Sequence, residues 1–199
     1  MRPRLLDLFC GAGGAAMGYS RAGFDVVGVD INYQPNYPFR FVQADALRFL
    51  LWIVRGDKDA SAWIRGVDAI HASPPYQRYS TATKRNGNAE SHPDLIAPVR
   101  EHLRTTGLPY VIENVVGAPL FDASMLCGSG FNLGTKTHQL RRHRKFEANW
   151  TILGSPCYCA FISRPFIDVS GGGPTRAPRT DGGGGRTLEI VCCPLQFVT

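Results

Sequence analysis

Near the amino terminus an apolar run, Arg4 to Phe9, passes into Cys10-Gly11-Ala12-Gly13-Gly14, and a helical pattern follows from Ala15 to Ala22. Gly23 ends that pattern, and Phe24 to Val29 reads as a second strand closing on Asp30. Strand, glycine loop, helix and strand with a terminal acid make the first half of a nucleotide-binding βαβ unit. Glycine lets the backbone approach a ligand closely, and a carboxylate at the tip of the second strand can accept both hydroxyls of a ribose. The loop has no Lys-Ser/Thr pair and lacks G-x-G-x-x-G spacing, so it suits an adenosine ligand without a phosphate.

The chain continues in the same alternation. Phe41 to Asp45 reads as a third strand ending in an acid placed to meet an adenine amine. Leu47 to Val54 and Ala60 to Arg65 are helical pieces around Gly56. Val67 to Ala72 is a fourth strand, and it delivers His71-Ala72-Ser73-Pro74-Pro75-Tyr76-Gln77. Two adjacent prolines fix φ twice and bar helix, so the backbone leaves the strand rigid and extended at the head of a polar loop reaching about Ser91. Asp94 to Thr106 carries Leu95, Val99 and Leu103 at helical spacing, a core-facing stripe stopped by Gly107. Pro109 to Ile112 is a fifth strand with Glu113-Asn114 at its carboxyl end. The predicted fold class is α/β, a mostly parallel sheet with helices on both faces.

Composition narrows the function classes. With 44% hydrophobic and 19% charged residues over 199 positions, this is an ordinary globular chain with enough length for a sizeable core. A formal net charge of +6 favours a polyanionic partner. No run of 18 apolar residues and no signal peptide is present, because Asp7 and the glycines interrupt the amino-terminal hydrophobic stretch. Six cysteines fall short of a secreted disulfide scaffold, so reduced thiols and a cytoplasmic location are expected. Residues 1–149 are read as the catalytic domain. Residues 150–199 are read as an irregular Gly/Pro-rich tail.

Four blocks make the chain resemble the DNA cytosine-5 methyltransferase family, which uses S-adenosylmethionine. They are Asp7-Leu8-Phe9-Cys10-Gly11-Ala12-Gly13-Gly14 with Gly18, Val27-Gly28-Val29-Asp30, Ser73-Pro74-Pro75 with Gln77, and Val111-Ile112-Glu113-Asn114-Val115. A weaker fifth, Gln139-Leu140-Arg141-Arg142-His143-Arg144, is similar to the family's Gln-x-Arg-x-Arg segment. The resemblance spans about residues 4 to 147 and implies a Rossmann-like methyltransferase fold. It implies that Phe9, Gly11, Gly13, Asp30 and Asp45 bind the methyl donor, with Asp7, Ile31 and Pro74 beside them. It implies further that Glu113 holds the ring nitrogen and amine of a flipped cytosine in double-stranded DNA, with Arg141 near it.

At one position the chain departs from the family pattern: Tyr76 stands where the family has cysteine. Cytosine carbon 5 is a poor nucleophile until a thiolate adds to carbon 6, and a phenol with a pKa of about 10 is a harder, weaker substitute. Ser73-Pro74-Pro75-Tyr76 is also similar to the block of methyltransferases that modify exocyclic amines. There the resemblance implies that Ser73 and the Pro74 carbonyl accept from the target amine while Tyr76 stacks on the extruded base. Three readings stand: amine transfer, carbon-5 chemistry without the cysteine, and a silent homologue that binds DNA or donor. Ser73, Pro74, Tyr76, Glu113 and Arg141 are the candidate catalytic set.

Cations supply the candidate nucleic-acid contacts. Arg78, Lys84 and Arg85 lie in the polar loop, and Arg141, Arg142 and Arg144 belong to a basic strip from Lys136 to Lys145. His71, His92 and His102 read as ordinary polar positions. Trp150 to Leu153 and Ala160 to Val169 read as strand fragments, with a Gly/Pro/Arg stretch after them. Cys157-x-Cys159 and Cys192-Cys193 fit no common zinc spacing, so free thiols are expected and no metal site is assigned. The tail has neither a recognition domain of the family's kind nor its closing Gly-Asn-Ser/Ala-Val segment. Sequence recognition by a partner subunit, in a small prokaryotic or viral protein, is the matching expectation.

Overall fold

The computed structural model describes residues 2–56, 66–161 and 165–167. The helical piece expected at Ala60 to Arg65, the Gly/Pro/Arg stretch and Cys192-Cys193 lie outside them. Five parallel strands form the centre: β1 (Arg4–Leu8), β2 (Asp25–Asp30), β3 (Arg40–Gln43), β4 (Val67–Ala72) and β5 (Tyr110–Asn114). Two further strands, β6 (Ser124–Cys127) and β8 (His143–Ala148), complete the order β3-β2-β1-β4-β5-β8-β6 among the described residues. β8 runs antiparallel to β5, with Glu113 opposite Phe146 and Asn114 opposite Lys145. Neither β6 nor β8 was expected from sequence.

Alternation of side chains across the strands creates two different faces. Leu6, Leu8, Val27, Val29, Ile70, Ala72 and Ile112 meet helices α2 (Ala46–Arg55) and α4 (Ile96–Thr106), which bury Phe49, Leu50, Val99 and Leu103. Leu5, Val26, Ala69 and Val111 meet α1 (Gly14–Arg21) through Ala16 and Tyr19. The sheet is therefore covered on both faces, as an α/β fold requires. Gly56 and Gly107, at φ 71° and 68°, close α2 and α4 in the left-handed conformation.

The polar loop after β4 is more structured than expected. It forms a 3-10 turn at Gln77–Tyr79, helix α3 at Thr81–Arg85 and a second 3-10 turn at Ala89–Ser91. Tyr79 is buried against Ile96 and Ala118, and its hydroxyl donates to Asp94. An apolar anchor inside the segment explains why it does not behave as solvated coil.

One buried ion pair ties α4 to β8. Arg100 donates from Nε to Glu147 Oε1 at 2.6 Å and from Nη2 to Oε2 at 2.7 Å. The guanidinium also donates to the Pro119 carbonyl at 2.8 Å and stacks on Phe121, whose N–H donates to Glu147 at 2.9 Å. Every charge here has partners, which is the condition for burying it.

The chain divides into two compact units. One comprises residues up to Met125 with Arg144–Gly154; the other comprises Leu126–His143 with the described residues from Ser155 onward. In the second, β7 (Gln139–Leu140) pairs with β9 (Phe166–Ile167), and a 3-10 turn spans Gly128–Phe131. Trp150 to Leu153 is not a strand, and among the described residues of the strand expected at Ala160 to Val169, Phe166–Ile167 is one.

Candidate functional site

The order of the parallel strands reverses at β1: β2 and β3 lie to one side, β4 and β5 to the other. In open α/β sheets the crevice at such a switch point, beyond the carboxyl ends of the strands, is where ligands bind. Register brings the candidate residues there. Leu8 lies beside Val29 and Ala72, and Ala72 lies beside Ile112, so the loops after β1, β2, β4 and β5 leave from one edge. The α1 face of that edge carries Asp7, His71 and Glu113, each in phase with an apolar residue two positions earlier, and Asp30, in phase with Val26.

The glycine loop forms a tight bend. Phe9 takes φ 58°, a left-handed conformation that costs a non-glycine residue about 1–3 kcal/mol. Gly11 follows at φ 49°, and its N–H donates to Asp30 Oδ2 at 3.0 Å. Asn32 N–H donates to Asp30 Oδ1 at 2.9 Å. Both carboxylate oxygens are thus fixed in direction while keeping lone pairs for a second donor each. No atom lies within 4 Å of where a Cβ on Gly11 would stand, so the bend is open at that point. Ile31, 61% exposed beside Asp30, leaves an apolar surface for a planar ring. These residues fit an adenosine-bearing donor.

Two members of the expected donor set carry structural duties. Asp45 lies beyond the end of β3 and caps α2, accepting from Arg48 N–H at 2.8 Å. Gly13, at φ 89°, is packed: a Cβ there would meet Pro38 Cδ at 2.8 Å and Tyr37 Cδ2 at 3.1 Å. A Cβ on Gly28 would overlap the same Tyr37 ring. Tyr37, which sequence reasoning passed over, joins Phe39 and Phe41 in covering this face of β2, and its hydroxyl donates to Asp7 at 3.5 Å. The only sequence signal for it was a glycine inside an otherwise apolar strand.

Asp7 is 1% exposed, and burial first, then the Asp30 charge, pushes its carboxyl up to about 7, against the opposing Tyr37 hydrogen bond. A carboxyl whose pKa is higher folded than unfolded favours folding most in acid, and loses that contribution as pH rises toward 7. Wild type should therefore lose up to about 4 kcal/mol of stability between pH 4 and 8 that Asp7→Asn does not lose. Urea denaturation of both proteins across that range, compared as a difference, measures it.

The loop after β4 is held from both sides. His71 is buried, and burial lowers its imidazole to about 4, so it is neutral at pH 7. It spans Tyr19 Oη at 3.0 Å from Nδ1 and Ser73 Oγ at 2.8 Å from Nε2. His71 is thus no ordinary polar position: it orients the Ser73 hydroxyl. Ser73 N–H donates to the Leu8 carbonyl at 3.2 Å, and Asn114 Nδ2 donates to the Pro74 carbonyl at 2.8 Å. Tyr76 starts the 3-10 turn at Gln77 and is 40% exposed, outside all three hydrophobic clusters.

Glu113 has a cationic partner within the first unit. Arg144 Nε donates to Glu113 Oε1 at 2.7 Å, both side chains being about one-fifth exposed. Glu113 lies opposite Phe146, so Arg144 is its same-face diagonal neighbour across the antiparallel pair. Arg141 lays its guanidinium over the Phe166 ring at 4.8 Å, within the second unit. Arg78 is likewise engaged with protein, donating to the carbonyls of Glu90 and His92 at 3.4 and 2.9 Å. Lys84 and Arg85 are exposed on α3, and Arg142 is half-buried.

Among the described residues of the first unit, no cysteine takes over the position of Tyr76. Cys10, the sole described cysteine of the first unit, is buried, and burial with the Asp7 and Asp30 charges pushes its thiol up to about 12. Cys157 and Cys159, expected as free thiols, form no disulfide and are brought together with Cys127 and His143. That gathering was illegible from spacing because residues 128–142 and 144–156 separate the ligands.

Parts of this chain are similar to known proteins. The Type II methyltransferase M.XorII of Xanthomonas oryzae pv. oryzae is 31% identical over 122 residues, covering 58% of this chain. The chain spans 29% of that relative's length. Among solved structures, the Entamoeba histolytica methyltransferase EhMeth is similar at a TM-score of 0.47 and 16% identity, covering 78% of this chain and 57% of that one. A SAM-dependent methyltransferase from Agrobacterium tumefaciens reaches 0.38 at 19% identity, over 59% and 40% of the two chains. The model of C-5 cytosine-specific DNA methylases matches residues 3–122, most of the first unit and more than half of the chain. The chain belongs to the C-5 cytosine-specific DNA methylase family.

Proposed function

We propose that this chain binds S-adenosylmethionine at the glycine bend and methylates the exocyclic amine of a cytosine flipped out of double-stranded DNA. The observation that carries the choice of atom is the site's lack of an available thiolate among the described residues. Tyr76 stands in the nucleophile's place, and Cys10 is buried with its thiol near 12. The donor supplies an electrophilic methyl on a sulfonium, so an amine lone pair can form the new N–C bond as the S–C bond breaks, and the amine proton then leaves. No covalent adduct with the protein is needed.

The chain's own residues bind and orient. Asp30 accepts the ribose hydroxyls, with Ile31 against the adenine and Asp7 facing the methionine ammonium. The hydroxyl of Ser73, held by His71, accepts one amine hydrogen of the cytosine. Glu113, ion-paired with Arg144, grips the base edge. Tyr76 stacks on the base, which is worth about 1–3 kcal/mol. Lys84, Arg85, Arg141 and Arg142 meet phosphates, and a partner subunit supplies sequence recognition.

A second reading rests on one contact. The Pro74 carbonyl already accepts from Asn114 Nδ2 at 2.8 Å, which leaves it one lone pair for a target amine. If that acceptor is unavailable, the protein binds donor and DNA without transfer. Incubation with isotope-labelled donor and mixed-sequence DNA, then nucleoside mass spectrometry, decides between them. Label on the cytosine amine is expected. Label at carbon 5 contradicts the proposal, and no label with donor binding intact selects the second reading.

A further inference from the structure

Among the described residues, the second compact unit buries little apolar surface. Its buried hydrophobic side chains among the described residues are Leu126, Cys127 and Leu140, and none of the three hydrophobic clusters contains a residue from it. Its regular structure among the described residues is two two-residue strands, the end of β6, the first residue of β8 and a single 3-10 turn. Described segments so poor in buried apolar surface gain order from a cross-link, and a metal ion or a disulfide is the usual one.

At its centre four ligand-type side chains converge from three segments. Cys127 ends β6, His143 begins β8, and Cys157 and Cys159 follow in the chain after Gly154. Their donor atoms all lie within 4.8 Å of one another. Cys127 Sγ is 3.4 Å from Cys159 Sγ, and His143 Nε2 is 3.2 Å from Cys157 Sγ and 3.8 Å from Cys159 Sγ. A tetrahedron with Zn–S bonds of ~2.3 Å has edges of ~3.8 Å, so these separations frame one such ion. Three sulfurs and one imidazole nitrogen are a soft, closed set that selects zinc over magnesium or calcium.

A buried hydroxyl supports the sulfurs. Ser129 is 4% exposed, and its Oγ lies 3.2 Å from Cys127 Sγ, 3.4 Å from Cys159 Sγ and 3.8 Å from Cys157 Sγ. The Tyr158 N–H donates to that oxygen at 3.1 Å, leaving the hydroxyl proton for a thiolate. Outer donors of this kind orient metal-bound thiolates.

We propose that Cys127, His143, Cys157 and Cys159 form a Cys3His site for one structural zinc ion, which holds the second unit together. With four protein ligands the site has no open position, so the ion takes no part in methyl transfer.

The test uses the full chain, purified under reducing conditions. One zinc per chain surviving desalting is expected by elemental analysis. Replacement by Co2+ should give the intense visible absorption of a tetrahedral ion with a sulfur-to-cobalt charge-transfer band, one equivalent saturating it. The double variant Cys157→Ser/Cys159→Ser should lose that band. The cobalt spectrum of the unmodified chain decides even if the variant does not fold. Failure to take up either metal, a six-coordinate cobalt spectrum, a band that survives in the folded variant, or a Cys127–Cys159 disulfide under reducing purification overturns the proposal.

Discussion

Tyr76→Cys is expected to give the protein a covalent adduct with DNA containing 5-fluorocytosine, which the wild type does not form. The argument begins with ionisation. A phenol at about 10 and a thiol at about 8.5 differ so that near neutral pH thiolate is roughly 30-fold more populated than phenolate. Sulfur is also the softer and more nucleophilic atom, which widens the gap. The surrounding groups are already in place: Glu113 is paired with Arg144, and the loop carrying position 76 is pinned by Asn114 to Pro74. Tyr76 is 40% exposed, so removing its ring opens no large core cavity. Denaturing gel electrophoresis of the trapped complex reads the outcome. An adduct at least ~30-fold above wild type is expected, with methyl transfer to carbon 5 on ordinary DNA. An equal adduct in wild type would mean that Tyr76, or another group, already adds to the ring.

Arg100→Leu should unfold the first unit at markedly lower denaturant, costing about 3–5 kcal/mol. Both partners are nearly inaccessible, at 8% and 4% side-chain exposure, so the variant strands the Glu147 carboxylate in a low-dielectric interior. The Pro119 carbonyl loses its donor as well. Replacing both partners by methionine should recover much of the loss, because an uncompensated charge, rather than a missing attraction, dominates the single variant. About 1–2 kcal/mol should persist, since the Phe121 N–H and the Pro119 carbonyl remain without partners. Equal destabilisation in the single and double variants would contradict this reading.

Both results bear on how the site was read from sequence. Local patterns were legible. The strand, glycine bend, helix and acid from Arg4 to Asp30 form as their spacing predicts, because each step is set by residues within a turn or two of itself. Ser73 and Glu113 were legible for the same reason, at the ends of short apolar runs. What the sequence hid depends on partners distant along the chain. Arg100 and Glu147 lie on different elements with 46 residues between them, and each alone looks like a surface charge. Arg144 faces Glu113 because the antiparallel register of β8 sets it diagonally across from that residue, and β8 was not visible in a basic, weakly apolar segment. Tyr37 and His71 do their work through the faces of strands they contact, which one-dimensional spacing does not record.

The account depends most on the crevice at the carboxyl ends of β1 and β2 being a donor site with Asp30 as its ribose acceptor. Calorimetric titration of S-adenosylhomocysteine into wild type and Asp30→Ala tests that directly. Two charge-assisted hydrogen bonds at about 1.5–3 kcal/mol each predict saturable binding by wild type and a loss of roughly 100-fold or more in the variant. Equal affinities in the two proteins, or no binding by wild type, would contradict it.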